Sequence, residues 1–196
     1  MTRGVKTILA CALFLALLTG TASGGTPDAK KMVLQLQELP TGFAVAVGTG
    51  YRSIAAAAKE DTNVSLAQLK AWGYVTGYEA DFRASGSPGV LRGGASQIAS
   101  TVSVYQSASG AERSLASSVA ACHVSPYEEL SVGAKIGDEA HLCEVTTKSG
   151  NVKVQVYAVV WRRGRVKGVV LTAGLLGGAS PTQAVKLAEV QDGRMG

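Results

Sequence analysis

Histidine is nearly absent from this sequence of 196 residues, which has two, and cysteine is scarce, at three. So few ligands exclude arrays of zinc modules and the disulfide-dense scaffolds of very small secreted proteins. No Gly-x-Ser-x-Gly elbow and no His-Glu-x-x-His pair occurs, so the commonest hydrolase signatures are missing. Aromatic residues are few, at 6%, and charged ones make up only 17%. Beyond the first 18 positions no apolar run approaches the roughly 20 residues that a bilayer span requires. Internal repeats are also absent, which argues against a solenoid or propeller.

What is present is 46% hydrophobic residues and 24 glycines. That composition buries a core and divides it among short elements joined by many turns. The N-terminus reads Met1, Arg3 and Lys6, then an apolar run from Ile8 to Leu18, then small residues up to Pro27. A basic start, a short apolar stretch and a small-residue exit are the order of a secretory signal peptide, cleaved after Ala22 or Gly24. Ile8-Leu9-Ala10-Cys11 resembles a lipobox, but most of the apolar run follows Cys11 instead of preceding it. The reading is therefore a signal peptide over 1–23, a flexible tether over 24–31 and one domain over 32–196. Without the signal the chain keeps 17 basic and 14 acidic residues. So small an excess does not suit a nucleic-acid partner. With the signal removed, no transmembrane span is expected.

Along the domain, Val33 to Phe43 alternates like a short strand ending at Pro40-Thr41-Gly42. Ser53 can cap a helix over Ile54–Lys59, and Ser65 with Gln68 forms a capping box for Leu66–Trp72. From Tyr74 to Arg83 the period is two, with Tyr78, Ala80 and Phe82 on one face, and Gln97–Gln106 resumes that alternation as a hairpin partner. The intervening Ala84–Ala95 reads as a loop. Ser109 and Glu112 suggest a third cap, for a helix ending near Cys122, followed by an irregular stretch from Pro126 to Gly137. Ala140–Thr147, Val152–Trp161 and Val166–Ala173 form a three-stranded meander, and Ser180-Pro181 opens a last helix. In the middle strand, Val152, Val154, Val156, Ala158 and Val160 form the uninterrupted apolar face and are expected in the core. The expected fold class is α+β: two layers, an antiparallel sheet of five or six strands, and helices packed on one face.

Gly137-Asp138-Glu139-Ala140, the hairpin ending Val159-Val160-Trp161-Arg162-Arg163-Gly164, and the segments Leu39–Phe43 and Trp72–Tyr78 together resemble exported bacterial envelope proteins of an uncharacterised family. More distantly the layout is similar to the extracellular sensor domains of mycobacterial serine/threonine kinases and to Mog1p/PsbP-like envelope lipoproteins. The resemblance implies an envelope-side binding domain and carries no residue-specific role. The kinase sensor domains have two disulfides, whereas two cysteines remain here once Cys11 is removed.

Five constellations could carry chemistry. Cys122-His123 and His141-Leu142-Cys143 hold both histidines and the two remaining cysteines, a set that zinc could use. In an exported chain a Cys122–Cys143 disulfide is the expected outcome. Glu79 and Asp81 share a strand face, as paired carboxylates do in acid–base catalysis, and Ser125 lies near His123. Arg162, Arg163, Arg165 and Lys167 concentrate positive charge on one hairpin and could meet an anionic surface, each contributing about 1 kcal/mol near a charged membrane. Gly177-Gly178, before the last helix, is a weak anion-site signal.

The sequence therefore reads as an exported, non-catalytic binding or sensor-like domain at the periplasmic or outer side of a bacterial envelope, without a cofactor. A small molecule, a lipid or an envelope protein is the expected partner. Two alternatives come from other classes: a small metal-dependent or hydrolytic enzyme using His123 and His141, and a structural protein-interaction module.

Overall fold

The computed structural model describes residues 27–61, 63–85 and 94–196. The signal segment, Cys11, the first part of the tether and most of the Ala84–Ala95 loop lie outside the described residues.

Among the described residues eight antiparallel strands form one sheet: β1 (Phe43–Val45), β2 (Gly50–Arg52), β3 (Tyr74–Ala84), β4 (Gln97–Tyr105), β5 (Tyr127–Leu130), β6 (Glu139–Ser149), β7 (Val152–Arg163) and β8 (Val166–Leu175). The order is β1-β3-β4-β8-β7-β6-β5, and β2 pairs with β3 beyond the end of β1. Among the described residues four α-helices accompany the sheet: α1 (Ile54–Glu60), α2 (Leu66–Ala71), α3 (Ala108–Cys122) and α4 (Pro181–Arg194).

The α+β class and the β6–β7–β8 meander agree with the sequence. The strand number does not: the five or six strands expected become eight. The three extra strands, β1, β2 and β5, have three or four residues each and lie at the sheet edges. Edge strands pair on one side and stay partly wet, so they lack the apolar alternation by which longer strands are recognised.

The helices also occupy both faces, which makes three layers instead of two. Ser100 on β4 reaches Gln191 of α4 at 2.6 Å, whereas Tyr105, five residues on and so on the opposite face, reaches Ser114 of α3 at 2.6 Å. On the α4 side the core contains Phe82, Ile98, Val102, Leu142, Val159, Trp161, Val170 and Leu187. A smaller cluster on the other side joins Val64, Leu69, Tyr74, Tyr105 and Ala111. The central strands are covered on both sides, which suits consecutive apolar residues such as Val159-Val160-Trp161.

Several local signals are realised as read. Ser53 caps α1, Ser65 and Gln68 complete a capping box on α2, and Ser180 caps α4 with Pro181 in its first turn. The cap of α3 lies two residues earlier than read: Ser107 accepts from the Gly110 N–H, which draws Gly110 against the Trp72 carbonyl where a side chain would collide. Of the strand read over Val33–Phe43 only Phe43 enters one, as the first residue of β1; the rest contains a 3-10 turn at Leu36–Glu38. Ala29, within the stretch read as a tether, is fully buried in a 3-10 turn over Ala29–Met32.

Candidate functional site

The end of α3 meets the sheet at a covalent joint. Cys122 closes the helix, Cys143 lies in β6, and the two form a disulfide with Cα atoms 5.7 Å apart. The Cys2His2 zinc set considered from sequence therefore does not form, because the sulfurs are bonded to each other. Among the described residues no three His, Cys, Asp or Glu side chains are arranged to hold a metal ion.

The histidines flanking this joint meet through a residue outside that sequence cluster. Glu129 on β5 stands directly across from Cys143 and bridges both rings: Oε2 is 2.6 Å from His123 Nε2, and Oε1 is 2.6 Å from His141 Nδ1. His141 Nε2 lies 3.1 Å from Glu139 Oε1. Hydrogen bonds from the two histidines hold the Glu129 carboxyl below its ordinary pKa. Burial alone would lower the pKa of His141, but Glu129 and Glu139 outweigh burial and leave it raised. Ser125 makes no hydrogen bond with His123 among the described residues.

The four basic residues of the β7–β8 hairpin are dispersed among different partners. Arg162 donates from Nη1 to Asp138 at 2.9 Å, and Arg163 donates from Nε to Asp192 of α4 at 2.8 Å. Lys167 is buried under α3, where Nζ reaches Ser118 Oγ at 3.0 Å and burial pushes its pKa down. Arg165, at the turn, has no ion pair among the described residues. The hairpin thus presents one unneutralised charge where the sequence suggested four. Strand alternation is the reason: Arg163 turns toward α4, while Arg162 and Lys167, opposite each other in the ladder, turn toward α3.

Glu79 and Asp81 are engaged as well, Glu79 with Arg52 and Asp81 with Arg83 and Gln97. Both carboxylates are thus taken up by partners within the fold. Gly177 and Gly178 border an open groove of about 740 Å³ beside the first turns of α4. Leu39 and Pro40 form one wall, Leu187 and Val190 supply apolar surface, and Ser180 and Gln183 supply polar groups. No histidine lines it. Of this groove only Gly177-Gly178 was legible in the sequence, because its walls come from stretches near residues 39, 94 and 177–190 that meet only in the fold.

No protein-family model matches the chain. No curated protein matches it either. Among solved structures it is similar to the extracellular domain of PknH from Mycobacterium tuberculosis, with a TM-score of 0.51 and 9% sequence identity, over 85% of this chain and 95% of that one. At that identity the likeness is one of fold.

Proposed function

We propose that this chain is an exported, non-catalytic binding or sensor-like domain of the bacterial envelope. The observation that carries the reading is the Cys122–Cys143 disulfide, which belongs to an oxidising compartment outside the cytoplasm. It agrees with the charge, apolar and small-residue order of the first 25 positions. The fold shared with an extracellular domain supports the same compartment.

Binding is favoured over catalysis by how the candidate groups are used. Glu79, Asp81, Glu129 and Asp192 each face a basic partner, and the groove beside α4 mixes apolar walls with a few hydrogen-bonding groups. Concave surfaces of that composition take small molecules or lipid groups. No helix among the described residues is long and apolar enough to cross a membrane.

Mass spectrometry of the native protein from a bacterial culture tests the reading. The expected result is an N-terminus between Ser23 and Thr26, no titratable thiol under denaturing non-reducing conditions, and a copurifying small molecule or lipid displaced when Val190 is changed to Asp. An intact, reduced chain in the cytoplasm would refute export, and a diacylglyceryl group on Cys11 would replace the cleavage assigned here. Copurification of a ligand that Val190→Asp does not weaken would move the site away from the groove.

A further inference from the structure

Both ring nitrogens of His141 face carboxylates, Nδ1 toward Glu129 at 2.6 Å and Nε2 toward Glu139 at 3.1 Å. A neutral imidazole has one N–H and one lone pair, so it satisfies only one of these acceptors. The imidazolium donates to both. The geometry is therefore that of the protonated ring. The second oxygen of Glu129 takes up His123, the residue that caps the C-terminus of α3.

These four side chains connect three elements at one edge of the sheet. β5 is the weakest of the three: it has four residues, its first three are exposed, and it pairs only with β6. Its register puts Glu129 across from Cys143, beside the disulfide. The disulfide fixes α3 to β6 at any pH, whereas β5 has no covalent tie of its own to β6. We propose that His141, gripped by Glu129 and Glu139, is a proton-dependent clip that fastens the β5 edge to β6 and the end of α3 in mildly acidic surroundings and loosens it as they turn alkaline.

Two of the other charges near the clip have partners of their own. On β7, Arg162 stands across from Glu139 but pairs with Asp138. On β8, Lys167 is turned to Ser118 of α3. Glu128 points to the opposite face of β5 from Glu129, and Lys135 is exposed in the connection to β6. No charged residue of α3 follows Arg113 before His123.

The direction with pH follows from the two shifts. The raised value of His141 means that its contribution is complete below the ordinary imidazole value of 6.5 and is lost as pH rises through the raised one. The lowered value of Glu129 means that its contribution is complete above the ordinary 4.5 and is lost as pH falls through the lowered one. The clip is tightest between those limits.

Amide hydrogen exchange by NMR on the disulfide-bonded chain tests the proposal at residues Tyr127–Leu130. After correction for intrinsic exchange rates, protection should fall about two- to fivefold from pH 5.5 to pH 8, the scale an exposed ion pair supports. That fall should vanish in Glu129→Gln, and ring ¹⁵N shifts should show both nitrogens of His141 protonated at pH 5.5. Equal protection at both pH values in the parent, or an undiminished fall in Glu129→Gln, overturns the proposal. If Glu129→Gln does not fold, Glu139→Gln, at the exposed side of the ring, should lower the midpoint of the His141 titration; an unmoved midpoint also overturns it.

Discussion

Asp192 shows how much one side chain can organise. Its carboxylate accepts from Trp161 Nε1 and from the Gly137 N–H, each at 3.1 Å, and pairs with the Arg163 guanidinium. One residue near the end of α4 thereby fixes the largest fully buried side chain, the approach to β6 and the end of β7. Across the ladder Trp161 lies on Gly168, where any side chain would collide with the ring. Burial alone would raise the pKa of Asp192, but Arg163, Gly137 and Trp161 reverse that and lower it. A lowered carboxylate pKa stabilises the fold above the ordinary range and stops doing so as pH falls through the lowered value. Asp192→Asn keeps the shape and removes the charge, and should cost about 2–3 kcal/mol at pH 7, the scale of a charged hydrogen bond lost from a partly buried site. Urea unfolding from pH 7 to pH 2 should then give curves that converge at the acid end. Parallel curves would show that the charge of Asp192 contributes nothing. Nothing in the sequence marked this residue, since helix periodicity does not say which distant strand a polar side chain will meet.

At the scale of elements, β7 shows why a pattern read correctly can still be assigned to the wrong face. Val152, Val154, Val156, Ala158 and Val160 do lie on one side, as alternation requires. The deep core is nevertheless on the other, through Tyr157, Val159 and Trp161. On the valine side α3 covers only the Val160 end; Val152 is exposed and Val154 and Val156 are half-buried. Valine suits a half-solvated pleated surface through its β-branched shape, so an apolar row in a strand does not by itself mark the core. Val159→Asp should therefore cost several kcal/mol, as an unpaired charge in a dry core does. Val156→Asp should cost roughly a third as much, because its carboxylate can reach water. Equal losses in melting temperature would mean that both faces are equally buried. The candidate site divides along similar lines. The disulfide was legible because an expected export signal and two further cysteines suffice to suggest it. The His123–Glu129–His141 bridge was not, because Glu129 sits on an edge strand, Tyr-Glu-Glu-Leu, that carries no strand signal.

For the whole molecule, the three layers are unequal, and the inequality sets the order in which the fold should open. The α4 face contains the long central strands, Trp161 and most of the fully buried aliphatic residues. The opposite face is divided between α3, held by a disulfide and the Tyr105–Ser114 hydrogen bond, and the pair α1 and α2. α1 has seven residues and none buried; α2 has six, of which Leu69 is buried. Helices this short are unstable alone, since nucleation is costly and few bonds follow it. They persist because Ile54, Ala57, Leu69 and Trp72 pack around Tyr74 and Tyr105, whose rings meet edge to face at 5.8 Å. Tyr74 reaches that cluster through a register shift between Tyr74 and Thr76, which sends it to the face opposite Tyr78. Losing this packing exposes little surface, whereas losing the α4 face exposes most of the core, so the first should happen at lower free energy. Hydrogen exchange by mass spectrometry in increasing urea should show residues 54–71 losing protection well before 156–171, with the latter following global unfolding. Simultaneous loss in both segments would mean that the two faces form one cooperative unit and that α1 and α2 gain their stability from the central sheet.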